Sequence, residues 1–271
     1  MFRRCSSDLL FIFVILALVA SLFVAVIALG PCIIVENPSL RLGHPLDRGI
    51  LAGTNKTSYK VILFGDSLVN TPYQDYHMKR LILQYFPKYP IGDIVNAGVG
   101  GDRIYRMRDR LYRDALDLNP DAMILLWDSD CSDIDESDYT PDGITELRKK
   151  YEDDLVYVVE EIQKAGVYLV ISGPILLGEI GKALKRDRQR ILEKEQMLDD
   201  YRAINRKVAE NHNVSYIDLR DNFQRAIPFY RLSHSGCVTS DGEHENENGT
   251  KIVARLFAGE LYKWFRSLVA N

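Results

Sequence analysis

Two short stretches far apart in the chain carry the residue types of acyl-transfer chemistry. Phe64-Gly65-Asp66-Ser67-Leu68 follows an apolar run, and Asp241-Gly242-Glu243-His244 lies near the C-terminus. Between them they hold a hydroxyl, an imidazole and a carboxylate. Nucleophilic acyl transfer needs this set: the hydroxyl attacks, the imidazole takes its proton, and the carboxylate fixes the imidazole tautomer. A fold can gather the three from distant points. Each stretch alone has a plainer reading, a polar turn after a strand for the first and a solvated helix start for the second. His244 follows Asp241 by three positions, so both fit on one short turn facing the serine. The other histidines have less suggestive surroundings. His44 lies among turn-forming residues, His77 near a helix start and His212 beside Asn213, while His234 sits in a Ser-His-Ser-Gly stretch close before the last block, which reads as a surface loop with substrate contact as the alternative.

Two further blocks lie between these ends, each behind an apolar run: Asn96-Ala97-Gly98-Val99-Gly100-Gly101-Asp102 and Leu125-Leu126-Trp127-Asp128-Ser129-Asp130. In this order the four blocks resemble the SGNH (GDSL) hydrolase family, and the likeness runs over residues 59–265. The resemblance implies a carboxylic ester hydrolase that needs no cofactor or metal. Ser67 is then the nucleophile, His244 the base and Asp241 its orienting acid, with Gly101, Asp130 and Asp66 at the oxyanion or the substrate. The third block departs from the family's Gly-x-Asn-Asp, because Asp128-Ser129-Asp130-Cys131 sets Asp130 where the asparagine belongs. An ionised carboxylate only accepts hydrogen bonds, and next to an oxyanion it repels. Three roles stay open for this loop: Asp130 protonated through burial or the nearby Asp128, Ser129 as the donor instead, or Asp130 gripping a substrate hydroxyl. The implied substrate is an ester, hydrolysed or transferred, on an acylated glycan or lipid. The opposing class is a non-catalytic protein that binds glycan or lipid in the same cleft.

The elements that must position these residues read as alternating strands and helices. Short apolar runs at 59–64, 93–96, 122–127, 167–172 and 214–219 suit strands buried on both faces. Helical patterns lie between or after them at 77–86, 104–116, 142–165, 188–210 and 247–268. Such alternation predicts an α/β fold, a three-layer α/β/α sandwich around a five-stranded parallel sheet of flavodoxin-like type. Ligands in such sheets bind at the carboxyl ends of the strands. Ser67, Gly101 and Asp130 each fall just beyond the end of a different run.

At 271 residues, 46% hydrophobic and 27% charged, the chain suits one large domain with a short appendage. A formal charge of −4 gives no footprint for nucleic acid. Arg3 and Arg4 precede residues 9–29, which carry no charge and as a helix would span roughly 30 Å, a bilayer core. The expected organisation is a cytoplasmic tail at 1–8, a transmembrane anchor at 9–30, a turn-rich stem at 31–57 and the hydrolase-like domain at 58–268. The positive flank favours a cytoplasmic N-terminus, with the domain lumenal or extracellular. A cleaved signal peptide is the rival reading. Glycosylation sequons begin at Asn55, Asn213 and Asn248. Cys131 and Cys237 lie close to catalytic blocks, and in an oxidising compartment they either bridge or stand as two unrelated thiols. The acidic residues from Asp128 to Glu136 fail the calcium-loop spacing, lacking glycine at the sixth position and glutamate at the twelfth.

Overall fold

The computed structural model describes residues 56, 58–70, 72–85, 91–127, 140–174, 188–226, 238–240 and 244–270. In chain order the elements are β1 (Tyr59–Gly65), α1 (Ser67–Asn70), α2 (Pro72–Tyr85), β2 (Ile91–Gly98) and α3 (Ile104–Asp114). A 3-10 turn (Leu116–Leu118), β3 (Ala122–Leu126), α4 (Pro141–Lys164), β4 (Tyr168–Ser172) and α5 (Arg188–Asn211) follow. β5 (Ser215–Ile217), α6 (Leu219–Ala226) and α7 (Glu247–Ala270) complete the set. The strands form one sheet in the order β2-β1-β3-β4-β5, and every pairing is parallel. Parallel neighbours need long crossovers, and the helices supply them.

Apolar runs become central strands here because both faces of the sheet are covered. Val61 and Leu63 of β1 point into a layer with Met78 and Ile82 of α2, Phe223 of α6 and the apolar face of α7. Ile62 and Phe64 point the other way, among Met107 and Leu111 of α3, Leu155 and Val158 of α4, and Leu198 and Tyr201 of α5. Burying each such side chain contributes about 1.5–3 kcal/mol, and because both faces of β1 are apolar, reversing its facing by one residue would cost packing fit rather than burial. The last helix is tied to the first strand by aromatic edges: Tyr59 meets Trp264 at 5.5 Å and Phe265 at 5.1 Å between ring centroids.

The five predicted strands are all present, with different bounds. β2 extends on both sides of 93–96 because it pairs with β1 from Tyr59↔Ile91 to Gly65↔Gly98. The run 214–219 yields only three strand residues, since Asp218 starts α6: its carboxylate accepts from Asp221 N at 3.0 Å and its carbonyl from Asn222 N at 3.1 Å. Among the described residues no helix is long and apolar enough to cross a membrane. The apolar run at 9–30 lies outside those residues, as do Asn55, Cys131 and Cys237.

Candidate active site

The site is built at the carboxyl edge of the sheet, where β1 lies between β2 and β3 and the chain turns off to opposite sides. This is the topological switch point of a doubly wound sheet. β1 ends at Gly65, and Asp66 then starts a single helical turn. The Asp66 carbonyl accepts from Val69 N at 3.2 Å and Asn70 N at 3.0 Å, and its carboxylate accepts from Leu68 N at 2.9 Å. Ser67 is thereby the first residue of α1, where the backbone N–H has no partner within its own helix. Asp66, expected at the oxyanion or the substrate, is fully buried and uses its carboxylate on this turn. Its carboxylate caps the turn that presents Ser67.

The second strand delivers a glycine loop against that turn. Val99 N donates to Gly65 O at 2.9 Å, and Asp102 N closes the loop onto Val99 O at 3.1 Å. Gly98 sits so close that a Cβ there would lie 2.7 Å from Asn70 N and 2.8 Å from Asp66 O. Gly101 has φ of 71°, in the left-handed region that glycine enters without strain. A Cβ on Gly100 would lie 3.9 Å from the Ser67 Cβ, so the loop passes directly beside the serine. Asn96 locks the two parts together: its amide donates to Val69 O at 2.7 Å, and its carbonyl accepts from Gly98 N at 2.9 Å. Asn96 opens the second block in sequence, but only the folded contact shows what its side chain holds.

His244 arrives from the far end of the chain on a short, well-tied return. Thr239 and Glu245 form an antiparallel bridge, Ser240 N donates to His244 O at 2.8 Å, and Asn246 N donates to Val238 O at 2.9 Å. Asn246 then starts α7, its side-chain oxygen accepting from Asn248 N at 2.9 Å and Gly249 N at 3.2 Å. These contacts hold the imidazole at a fixed height before the helix. Its Nε2 lies 3.0 Å from Ser67 Oγ, and both residues are half-buried. With its proton on Nδ1 the ring accepts from the hydroxyl, which is the arrangement for removing that proton.

Asp241 and Asp130 lie outside the described residues. Among those described, no group of three His, Cys, Asp or Glu side chains is placed to hold a metal ion. Of the sequons, Asn213 is exposed on the turn before β5, whereas Asn248 is half-buried in the first turn of α7 with Thr250 fully buried behind it. A cavity of about 780 Å³ lined by Tyr59, Asn119, Gly166, Tyr168 and Trp264 opens at the amino-terminal edge of the sheet, opposite Ser67 and His244.

A parallel doubly wound sheet whose carboxyl edge carries a serine hydroxyl against an imidazole, beside a glycine loop, defines a carboxylic ester hydrolase. The chain belongs to the GDSL-like lipase/acylhydrolase family, which it matches over residues 63–251. A solved acetyl xylan esterase is similar, with 26% identity, 73% of this chain and 98% of that chain covered, and a TM-score of 0.56. A variant of the acetyl xylan esterase Axe2 from Geobacillus stearothermophilus shares the fold at 19% identity, covering 73% of this chain and 92% of that one with a TM-score of 0.58. The uncharacterized lipoprotein YqeF of Bacillus subtilis (strain 168) is 26% identical over 223 residues, which are 75% of this chain and 90% of that protein.

Proposed function

We propose that this chain is a membrane-associated serine esterase that removes acetyl or other short acyl groups from a glycan. The single observation that carries the reading is the 3.0 Å contact between Ser67 Oγ and His244 Nε2 at the switch point of the sheet. Ser67 Oγ attacks the ester carbonyl carbon while His244 Nε2 takes the hydroxyl proton. The carbonyl oxygen gains the negative charge and is met by the backbone N–H groups of Ser67 and Gly101. Collapse breaks the bond to the alcohol, which leaves with the proton from His244. Water, deprotonated by the same imidazole, then attacks the acyl-serine and releases the acid. Asp241, three residues before His244, holds the ring through Nδ1. The acetyl group and the glycan are favoured by the similarity to an acetyl xylan esterase. Membrane association is favoured by the uncharged run at 9–30 and by a relative described as a lipoprotein.

Asp130 tunes this chemistry. Ionised, it repels the oxyanion; protonated, it donates as the family's asparagine does. The enzyme is therefore expected to be a slow or acid-favoured esterase, and Asp130→Asn is expected to raise its rate at neutral pH. The test is labelling by a fluorophosphonate together with acetate release from acetylated xylan, on wild type, Ser67→Ala and His244→Ala. Labelling and release in wild type alone support the reading. Equal behaviour of all three proteins would refute the assignment, and binding of acetylated xylan without labelling or release would make the chain a glycan-binding member of the family.

A further inference from the structure

The buried face of α3 carries one charge. Ile104, Met107 and Leu111 pack on the sheet as an amphipathic helix requires, and Arg110 lies among them only 6% exposed. Burying a guanidinium is unfavourable unless its donors are met, and here acceptors from three separate pieces of the site meet them. Nε donates to the Asp102 carboxylate. Nη1 donates to Ala97 O at 2.7 Å, with Asp114 farther off at 3.5 Å, and Nη2 donates to Gly65 O at 2.8 Å. The guanidinium carbon lies 4.2 Å from the centroid of the Phe64 ring, which floors the group.

These acceptors are the backbone on which the chemistry stands. Gly65 O is two residues before Ser67 and also receives Val99 N, so strand end, loop and arginine meet at one oxygen. Ala97 O precedes Gly98, the residue pressed against α1, and Asp102 directly follows Gly101. The Arg110 side chain therefore spans the glycine loop from its entry to its exit and ties both ends to the root of the Ser67 turn. We propose that Arg110 is the positioning residue of the oxyanion loop, fixing residues 99–102 relative to Ser67 so that the Gly101 N–H faces the developing charge. This rests on the reading of Ser67 as nucleophile. Lysine cannot replace it: an ammonium on a flexible stem has no planar fork with which to serve three diverging acceptors. Asp102 sets the charge balance, so the brace acts by geometry and adds no net charge beneath the oxyanion.

The test compares wild type, Arg110→Lys, Asp102→Asn and Val158→Ala in the full chain. Val158→Ala lowers stability in the same core layer without touching the loop. Five quantities are measured: kcat and KM on 4-nitrophenyl acetate, affinity for phenylboronic acid, which forms a tetrahedral adduct on an activated serine, thermal midpoint, and amide hydrogen exchange of residues 98–102. Arg110→Lys is expected to lower kcat by roughly 10²-fold, the scale of a misplaced oxyanion donor, with KM changed less than about threefold. Boronate affinity should fall in parallel and exchange at 98–102 should rise, while Val158→Ala matches the thermal shift and keeps its kcat. Should Arg110→Lys fail to fold, Asp102→Asn, which leaves both carbonyl bonds in place, is expected to show the same pattern at about a tenth of the effect. Unchanged kcat in a folded variant, or a loss of kcat with unchanged loop exchange, overturns the proposal. A wild-type chain that neither turns over the ester nor binds the boronate overturns the serine-hydrolase reading itself, and exchange measured on Arg110→Lys then still decides whether the loop is braced.

Discussion

Replacing Gly98 by alanine adds one methyl group at the tightest point between the glycine loop and the Ser67 turn. Gly98 does not have positive φ, so its backbone conformation suits alanine and the whole effect arises from contact. The new Cβ would lie 2.7 Å from Asn70 N, 2.7 Å from Val69 Cβ and 2.8 Å from Asp66 O. Two of these are backbone atoms of the turn, which no rotamer change can move aside. Ordinary carbon contacts lie at about 3.5–4.0 Å, so α1 and the loop must separate by roughly 0.7–1 Å. Overpacking of this kind costs about 1–3 kcal/mol of stability, or about 2–4 °C in Tm per kcal/mol for a domain of this size. The catalytic loss is expected at the upper end of that range. A misplacement near 1 Å costs about 10²-fold in rate, equivalent to about 2.7 kcal/mol at ~1.36 kcal/mol per decade. The assay is kcat/KM on 4-nitrophenyl acetate beside thermal unfolding. A folded Gly98→Ala enzyme within about threefold of wild type would refute the reasoning, because the serine would then tolerate a displaced loop.

The opposite outcome is expected at Gly259, inside α7, where an added Cβ meets nothing within 4 Å: Gly259→Ala should raise stability by about 1 kcal/mol through helix propensity, read as a higher Tm with unchanged activity. Burial, and then the negative charge of Asp218, push the Tyr216 phenol well above its ordinary value. The folded state thus holds this proton more tightly than the unfolded chain, so the stabilisation is complete below about pH 10 and declines as pH rises beyond it. Tyr216→Phe should flatten that alkaline decline in urea midpoints, with Tyr168, also raised by burial, contributing to what remains. Asn96→Ala removes the bonds to Val69 O and Gly98 N and should lower stability by about 1–3 kcal/mol, with kcat reduced more than KM.

The layered fold was legible because its determinants are local. β1 is apolar at every position that the sheet buries, and the polar Gly65-Asp66-Ser67 that follows marks where the strand must stop. The contact between Ser67 and His244 was legible from the order of the four blocks and the family they resemble, since each stretch alone has a plainer reading. Arg110 was hidden among Arg106, Arg108 and Arg113 on α3 and Arg103 just before it, and nothing in the sequence separates one of these five arginines from the rest. Only the ends of two strands, brought together by the sheet, supply the acceptors that bury one of them. The capping duty of Asp66 was hidden for a related reason: a turn that begins immediately after a buried strand needs an acceptor for Leu68 N, and only the folded contact shows that Asp66 supplies it. The run at 214–219 looked like a full strand until the Asp218 carboxylate, bonding three residues ahead, turned its last residues into a helix.

Ser67 and His244 stand 177 positions apart, and the helix that follows the histidine packs its aromatic residues on the first residue of β1. On a ribosome adding about 5–20 residues per second, the serine emerges roughly 10–35 s before its base. Throughout that interval the hydroxyl lacks His244. Docking of α7 on β1 closes the long loop and brings His244 against Ser67, so this contact forms only after the C-terminal helix has been made.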